Sequence, residues 1–230
     1  MKHLIFVLFV VVCSQAYGDE TDARNPDPWI GLNKRVYAFN EVADKWVTKP
    51  IAKGYRAVLP RFVRAGVNNF FENLGDVGNS LNNILQGKVG AGASDIGRIV
   101  INTTLGIGGV LDPASDMGLK KHNEDFGQTL QVWGLPRGPY LVIPFLGPST
   151  VTDASGRPLD ITLSPVGQLD PVADRNVLRA VSLINDRYQL LSAEKLVFGD
   201  KYLFYRDAYL QRREYLVKDG QVKDEFGDDF

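Results

Sequence analysis

The chain has 230 residues, with 26 Lys and Arg against 27 Asp and Glu and a single cysteine. That length suits one sizeable domain, the near-neutral balance offers no basic field to draw nucleic acid, and a lone cysteine excludes an internal disulfide framework. Beyond residue 18 no stretch supplies the roughly 20 apolar residues a spanning helix needs, so any membrane contact is interfacial or carried by a partner.

Residues 1–18 read as a signal segment rather than as fold. Lys2 gives a positive start, Leu4 to Val12 is an unbroken apolar run, and Ala16-Tyr17-Gly18 supplies small residues for cleavage. The mature chain is then expected to begin near Asp19, and the protein to be exported. Cys13 follows Val10-Val11-Val12, where a lipidated cysteine needs a small residue just before it. It therefore reads as the end of the discarded run, and acylation is disfavoured. An acyl chain would add about 0.8 kcal/mol of membrane affinity per buried methylene.

Asp27-Pro28-Trp29 opens the first predicted helix, with Asp27 as its cap. Trp29, Leu32, Val36, Phe39, Ala43 and Trp46 share one face of it, and the helix is expected to stop before Pro50. A short successor runs to Pro60. A third helix, Pro60 to Leu74, gathers Phe62, Val63, Val67, Phe70, Phe71 and Leu74, with Gly75 as the left-handed cap. Ser80 to Gln86 reads as a further turn or two. Lys88 to Ile101 is helical in pattern but carries Gly90, Gly92 and Gly97, each of which lowers helix stability by roughly 1 kcal/mol; they imply close packing or a hinge.

The next segment, Leu105-Gly106-Ile107-Gly108-Gly109-Val110-Leu111-Asp112, is too irregular for a stable helix. As a phosphate-cradling loop it lacks the Lys and Ser/Thr that should follow the last glycine, and Asp112 would repel a phosphate. Two readings stay open: a turn between helices, or a flexible apolar hairpin that faces lipid or gates an opening. Alanine at Gly106, Gly108 and Gly109 is expected to stiffen it without unfolding the protein.

Glu124 to Trp133 is a short predicted helix. Gly134 to Pro148 is extended chain whose prolines bar it from the centre of a sheet. Thr152 to Thr162 is a weak helix interrupted by Gly156 and Pro158. Two clean amphipathic helices close the chain, one from Asp174 to about Leu191 and one from Asp200 to Val217. Residues 218–230 form an acidic tail, read as flexible. The fold class is mainly α with little or no sheet: one helical domain over 19–217.

Candidate chemistry is sparse. His122 is the only histidine outside the signal segment, and with Glu124 and Asp125 it falls short of the three or four converging ligands a metal needs. It reads as a surface residue. No serine lies in a nucleophile-elbow pattern. Tyr202, Tyr205 and Tyr209 interleave with Arg206, Arg212 and Arg213, a pattern that suits a core contact and a solvated face better than nucleic-acid stacking. No cofactor, no metal and no enzymatic activity is expected.

Several segments together resemble one family. Asp27-Pro28-Trp29-Ile30-Gly31-Leu32-Asn33 with Val36-Tyr37-Ala38-Phe39-Asn40 resembles the opening signature of the MlaA (VacJ) family. So do Asn68 to Leu74, Asn82 to Gly87, Arg98 to Gly106, Glu124 to Leu130, Gly138 to Pro144 and Arg206 to Arg213, in order along almost the whole mature chain. The resemblance implies a ring-like bundle of amphipathic helices in the outer membrane, on its periplasmic side and associated with trimeric porins. It implies removal of mislocalised phospholipids from the outer leaflet and their transfer to a soluble periplasmic carrier, MlaC. Trp29, Phe39, Trp46, Phe62, Phe70 and Phe71 would then face the membrane interface, residues 105–112 would be the mobile hairpin at a lipid passage, and the acidic tail a contact for the carrier. Many members of the family are lipoproteins, and the missing signature before Cys13 departs from that pattern. The rival reading is a non-catalytic periplasmic or outer-membrane scaffold with a conventional core.

Overall fold

The computed structural model describes residues 25–221. The signal segment, Cys13 and residues 222–230 of the predicted tail lie outside them. Helix α1 (Ile30–Ala43) runs through one π-helical turn (Asp44–Thr48) into α2 (Lys49–Val58). The stop expected before Pro50 does not occur. The widened turn precedes Pro50 and lets the chain stay helical past a residue with no N–H to donate.

The two helices predicted on either side of Gly75 are one, α3 (Arg61–Leu85, 25 residues). Gly75 caps nothing, because burial of the side chains on either side of it outweighs a helix penalty of roughly 1 kcal/mol. Helix α4 (Val89–Thr104) packs along α3. A Cβ at Gly92 would lie 2.7 Å from Ile84 Cγ1 and 3.1 Å from the Ser80 carbonyl oxygen, so this glycine serves close helix approach. Asp112 caps the single turn α5 (Pro113–Asp116), and Asp125 caps α6 (Phe126–Val132) by accepting from Gln128 N at 2.9 Å.

The extended stretch is a hairpin of β1 (Tyr140–Ile143) and β2 (Gly147–Thr150), antiparallel, with Tyr140 opposite Thr150 and Val142 opposite Pro148. Two strands have only edges, which is how Pro148 is tolerated. Helix α7 (Val151–Leu163) contains both Gly156 and Pro158, and a Cβ at Gly156 would meet Gly127 N at 2.6 Å where α6 crosses it. A 3₁₀ turn (Pro165–Gln168) leads to α8 (Val172–Ala193), and a second (Glu194–Leu196) to α9 (Lys201–Val217), which Asp200 caps.

The packing order closes on itself. Helix α1 lies on β1, α2 on α8, α8 on the first 3₁₀ turn, that turn on α7, and α7 on β2, which pairs back to β1. Helix α9 rests on α6 and β2. Among the described residues the apolar core cluster is small: Tyr140, Val142, Tyr202 and Leu210, flanked by Val36, Tyr37, Leu203 and Tyr209. Asp27 does not cap α1, as the sequence suggests. Its carboxylate accepts from Asn33 Nδ2 at 2.8 Å and from the Tyr202 hydroxyl at 2.5 Å, joining the first helix to the last across 175 positions.

Candidate functional site

Burial in this fold runs opposite to that of a water-soluble bundle. Among the described residues, the buried apolar side chains are Ala52, Ala114, Tyr140, Val142, Leu191, Tyr202 and Leu210, and buried polar ones outnumber them. In α3 the buried stripe is Asn73, Asp76, Asn79, Ser80 and Asn83; in α4 it is Asp95, Arg98 and Asn102. Both stripes recur at three- and four-residue spacing, so each helix is amphipathic with its polar face inward. The opposite face of α4 exposes Val89, Ile96 and Val100, and α3 exposes Phe62 in its first turn and Ile84 in its last. Exposed apolar surface on this scale marks a contact with something other than water.

The interface residues read from the sequence divide into two groups. Trp46 is 72% exposed and Phe62 76%, and Phe39 is exposed with its ring edge-on to Phe145 at 5.1 Å. Trp29, Phe70 and Phe71 are only half-exposed; Phe70 and Phe71 pack edge to face at 5.3 Å, because α3 carries them toward its neighbours.

The inward polar face holds a charge network. Arg98 is 1% exposed and donates to Asp76 Oδ2 at 3.1 Å, Ser115 Oγ at 2.9 Å, the Leu119 carbonyl at 2.9 Å and both Asp112 oxygens at 3.1 Å. Burial pushes the Asp76 carboxyl up, and Lys121 and Arg98 offset only part of that rise. Burial also raises Asp112, but bonds from Ser115, Asn102 and Arg98 outweigh it and hold that carboxyl below its ordinary range.

The same network anchors residues 105–112. Asp112 is clamped at one end, Asn73 Nδ2 donates to Thr103 Oγ1 at 3.0 Å, and Asn69 Nδ2 donates to the Val110 carbonyl at 3.1 Å. The backbone turns at Ile107, Gly108 and Gly109, all with positive φ. Leu105, Ile107, Val110 and Leu111 project outward, while Gly106 and Gly109 are buried. A Cβ at Gly106 would lie 2.4 Å from the Asn102 and Leu111 oxygens, and one at Gly109 2.6 Å from Asn73 Nδ2; at Gly108 it meets nothing within 4 Å. Alanine at all three positions is therefore no simple stiffening. Two of the three sites have no room for it.

Among the described residues, two cavities bear on the site. The larger, about 750 Å3, lies between α1, α2, the β-hairpin, α8 and α9, with Tyr37, Leu190, Leu196 and Phe204 in its wall beside Glu41, Asp44, Lys45, Lys49, Arg187, Glu194 and Lys201. The smaller, about 310 Å3, lies between α3, α7 and an earlier stretch of α8, with Phe71, Leu74, Asp160, Leu178 and Arg179 among its lining. Arg187 is the hub of the larger one. It forks onto Asp44 at 2.6 and 2.8 Å and also bonds Glu194. Burial pushes Asp44 up, but the bonds from Arg187 and Thr48 outweigh it and the carboxyl sits below its ordinary range. In the smaller cavity burial raises Asp160 to about 6, with the Asp125 charge adding to the rise.

Sequence reading missed this larger cavity. Asp44 and Arg187 are 143 positions apart and nothing local marks either. His122 is no free surface residue: its Nδ1 pairs at 2.8 Å with Asp95, which is fully buried. Arg213 is not on a solvated face but buried, donating to Asp153 Oδ1 at 2.5 Å and to Asp125. Tyr202 is a core residue, as read. Among the described residues no group of three or more His, Cys, Asp or Glu is placed to hold a metal, and no helix is long and apolar enough to cross a membrane.

A closed circuit of helices with polar faces inward and apolar faces outward defines a class of interfacial helical protein whose shell needs a non-aqueous partner. Comparison with known proteins gives the family. The MlaA lipoprotein family profile matches residues 25–216, and the chain belongs to that family. The Escherichia coli K12 protein named intermembrane phospholipid transport system lipoprotein MlaA is 32% identical over 221 residues, covering 93% of this chain and 86% of the relative. An uncharacterised Rickettsia felis protein is 36% identical over 197 residues, 84% of this chain and 78% of its own. A solved chain described under "Structural basis for maintenance of bacterial outer membrane lipid asymmetry" superposes with a TM-score of 0.74 at 31% identity, covering 83% of this chain and 98% of that one.

Proposed function

We propose that this protein removes mislocalised phospholipids from the outer leaflet of the bacterial outer membrane and passes them to a periplasmic carrier of the MlaC kind, so maintaining lipid asymmetry. The observation that carries this reading is the reversed burial: polar stripes of α3 and α4 inside, Trp46, Phe62, Ile96 and Val100 outside. At about 25 cal/mol per Å2, such outward faces hold a protein in lipid without a span. A phospholipid needs a polar route for its headgroup beside an apolar one for its chains, and the larger cavity offers both kinds of wall. The relatives' name and the theme of the superposed structure support the same reading.

In this reading the protein sits on the periplasmic side of the outer membrane against trimeric porins, after removal of residues 1–18, and makes or breaks no bond in the lipid. Residues 19–217 are the working domain, the outward tip of 105–111 is the hairpin at the lipid passage, and the tail from residue 218 meets the carrier. The test is outer-leaflet phospholipid in a deletion strain, read by an enzymatic surface-lipid assay with and without the gene restored. A rise that the gene reverses is expected. No change in a strain without redundant systems would overturn the reading and favour a scaffold.

A further inference from the structure

We propose that α2 and the turns flanking it dock on a bilayer surface that carries net negative charge, with Lys45, Lys53, Arg56 and Arg61 reading that charge. This rests on the interfacial reading above and adds to it a preference for anionic lipid.

Charge along this stretch has one sign. From Lys45 to Phe71 the charged residues are Lys45, Lys49, Lys53, Arg56, Arg61 and Arg64, with no carboxylate, although the whole protein has a formal net charge of −1. The fold holds two of these cations: Lys49 pairs with Glu194 at 2.7 Å, and the buried Arg64 guanidinium lies 4.6 Å over the Tyr188 ring. The other four are exposed, including Lys45, which also borders the larger cavity, and among the described residues none of them forms an ion pair. Arg61 stands in the first turn of α3, which has no acidic residue, although the helix dipole disfavours a cation there. Helix stability does not account for that placement, whereas an anion outside the chain does.

The neighbouring side chains decide what carries the anion. Lys45, Lys49, Lys53 and Arg56 recur at four- and three-residue spacing along one flank of the helix, and Val47, Ile51 and Val58 at four and seven along the other. Those three apolar side chains are exposed, as are Trp46 and Phe62. Helix α2 buries Ala52 and packs on α8, so neither flank is covered by the fold. An apolar flank opposite a cationic one is the pattern of a helix lying in a bilayer interface, whereas an acidic protein would leave the apolar flank in water. The Lys45 ammonium lies 5.6 Å over the Trp46 ring, and long basic stems reach the phosphate level while a tryptophan stays in the interface.

The experiment dilutes the protein, purified from the envelope in detergent, onto vesicles of phosphatidylcholine alone or of phosphatidylcholine and phosphatidylglycerol in equal parts. Flotation reads the bound fraction. Each cation near an anionic surface is worth about fivefold in binding, so wild type should favour the anionic vesicles about a hundredfold or more at low salt. That preference should fall away at about 1 M salt, where screening is complete within about 3 Å. Lys45→Gln, Lys53→Gln, Arg56→Gln and Arg61→Gln should each weaken binding to anionic vesicles about fivefold. All four together should abolish the preference and leave binding to phosphatidylcholine unchanged. Lys120→Gln with Arg212→Gln removes exposed cations elsewhere and should keep the preference within about twofold. Equal binding of wild type to the two vesicles, a preference that survives the four changes, or an equal loss in the control overturns the proposal while the interfacial reading stands. Equal vesicle binding together with capture of polyglutamate that the four changes abolish would assign the cations to an acidic protein instead. Failure of the wild type to bind either vesicle would remove the interfacial reading itself.

Discussion

Arg98→Met is expected to destabilise the fold by about 3–5 kcal/mol, the usual penalty when one partner of a buried ion pair is removed. The structure supports that size because nothing else replaces the guanidinium. Asp76 is fully buried and would keep only Lys121 at 3.7 Å and Asn79 Nδ2 at 3.1 Å. The Leu119 carbonyl and Ser115 hydroxyl would each lose a donor at 2.9 Å. At 2–4 °C per kcal/mol for a chain of this size, the loss corresponds to roughly 6–20 °C in Tm. The double variant Arg98→Met with Asp76→Leu should recover much of it, since an apolar pair of similar volume strands no charge. Asp112 is part-exposed and can be hydrated in either variant. The assay is thermal unfolding by circular dichroism in detergent, single and double variants side by side. A single variant within about 1 kcal/mol of wild type, or a double variant no better than the single, would refute the view that this network is a dry structural core.

Further outcomes follow from other sites. Gly108→Ala should fold with a loss of about 1–2 kcal/mol for a left-handed alanine, whereas Gly106→Ala and Gly109→Ala should lose clearly more Tm because their Cβ atoms strike backbone or Asn73. Asp160, raised to about 6, binds its proton more tightly folded than unfolded. Its contribution is present below the ordinary carboxylate range and lost as pH rises through about 6, so Asp160→Asn should flatten the fall in stability between about pH 4 and 6 when unfolding is compared with wild type. Phe62→Asp, at an exposed outward position, should leave Tm within about 0.5 kcal/mol but lower partition into liposomes about tenfold or more, since burying such a ring in lipid contributes 1.5–3 kcal/mol. Vesicle flotation reads that directly.

Helix positions were legible because amphipathic period survives whichever face turns inward. Val172–Ala193 and Lys201–Val217 fall close to the predicted spans, and the prolines around Tyr140 confined the extended chain to an edge hairpin. Local punctuation misled where tertiary burial outweighed it. Gly75 lies inside α3 because Asn73 and Asp76 are held by partners from α4 and beyond, and Pro50 lies inside a helix because a π turn precedes it. Asp27 has the look of a cap, but its partner is Tyr202, which no local pattern could reveal. The site was half legible. Composition marked the irregular glycine-rich segment 105–112 without deciding between a turn and a hairpin, and only the family resemblance implied an outward Trp46 and Phe62; the Asp44–Arg187 fork pairs ordinary surface-type residues from distant helices and exists only once α2 meets α8.

The most direct test of a lipid route through this protein is photocrosslinking in cells. A photoreactive amino acid replaces Leu190, in the wall of the larger cavity, and separately Phe62, exposed in the first turn of α3. Mass spectrometry of the purified protein should find phospholipid adducts at both positions. Adducts at Phe62 with none at Leu190 would mean that lipid touches only the outside, and would contradict passage through the interior.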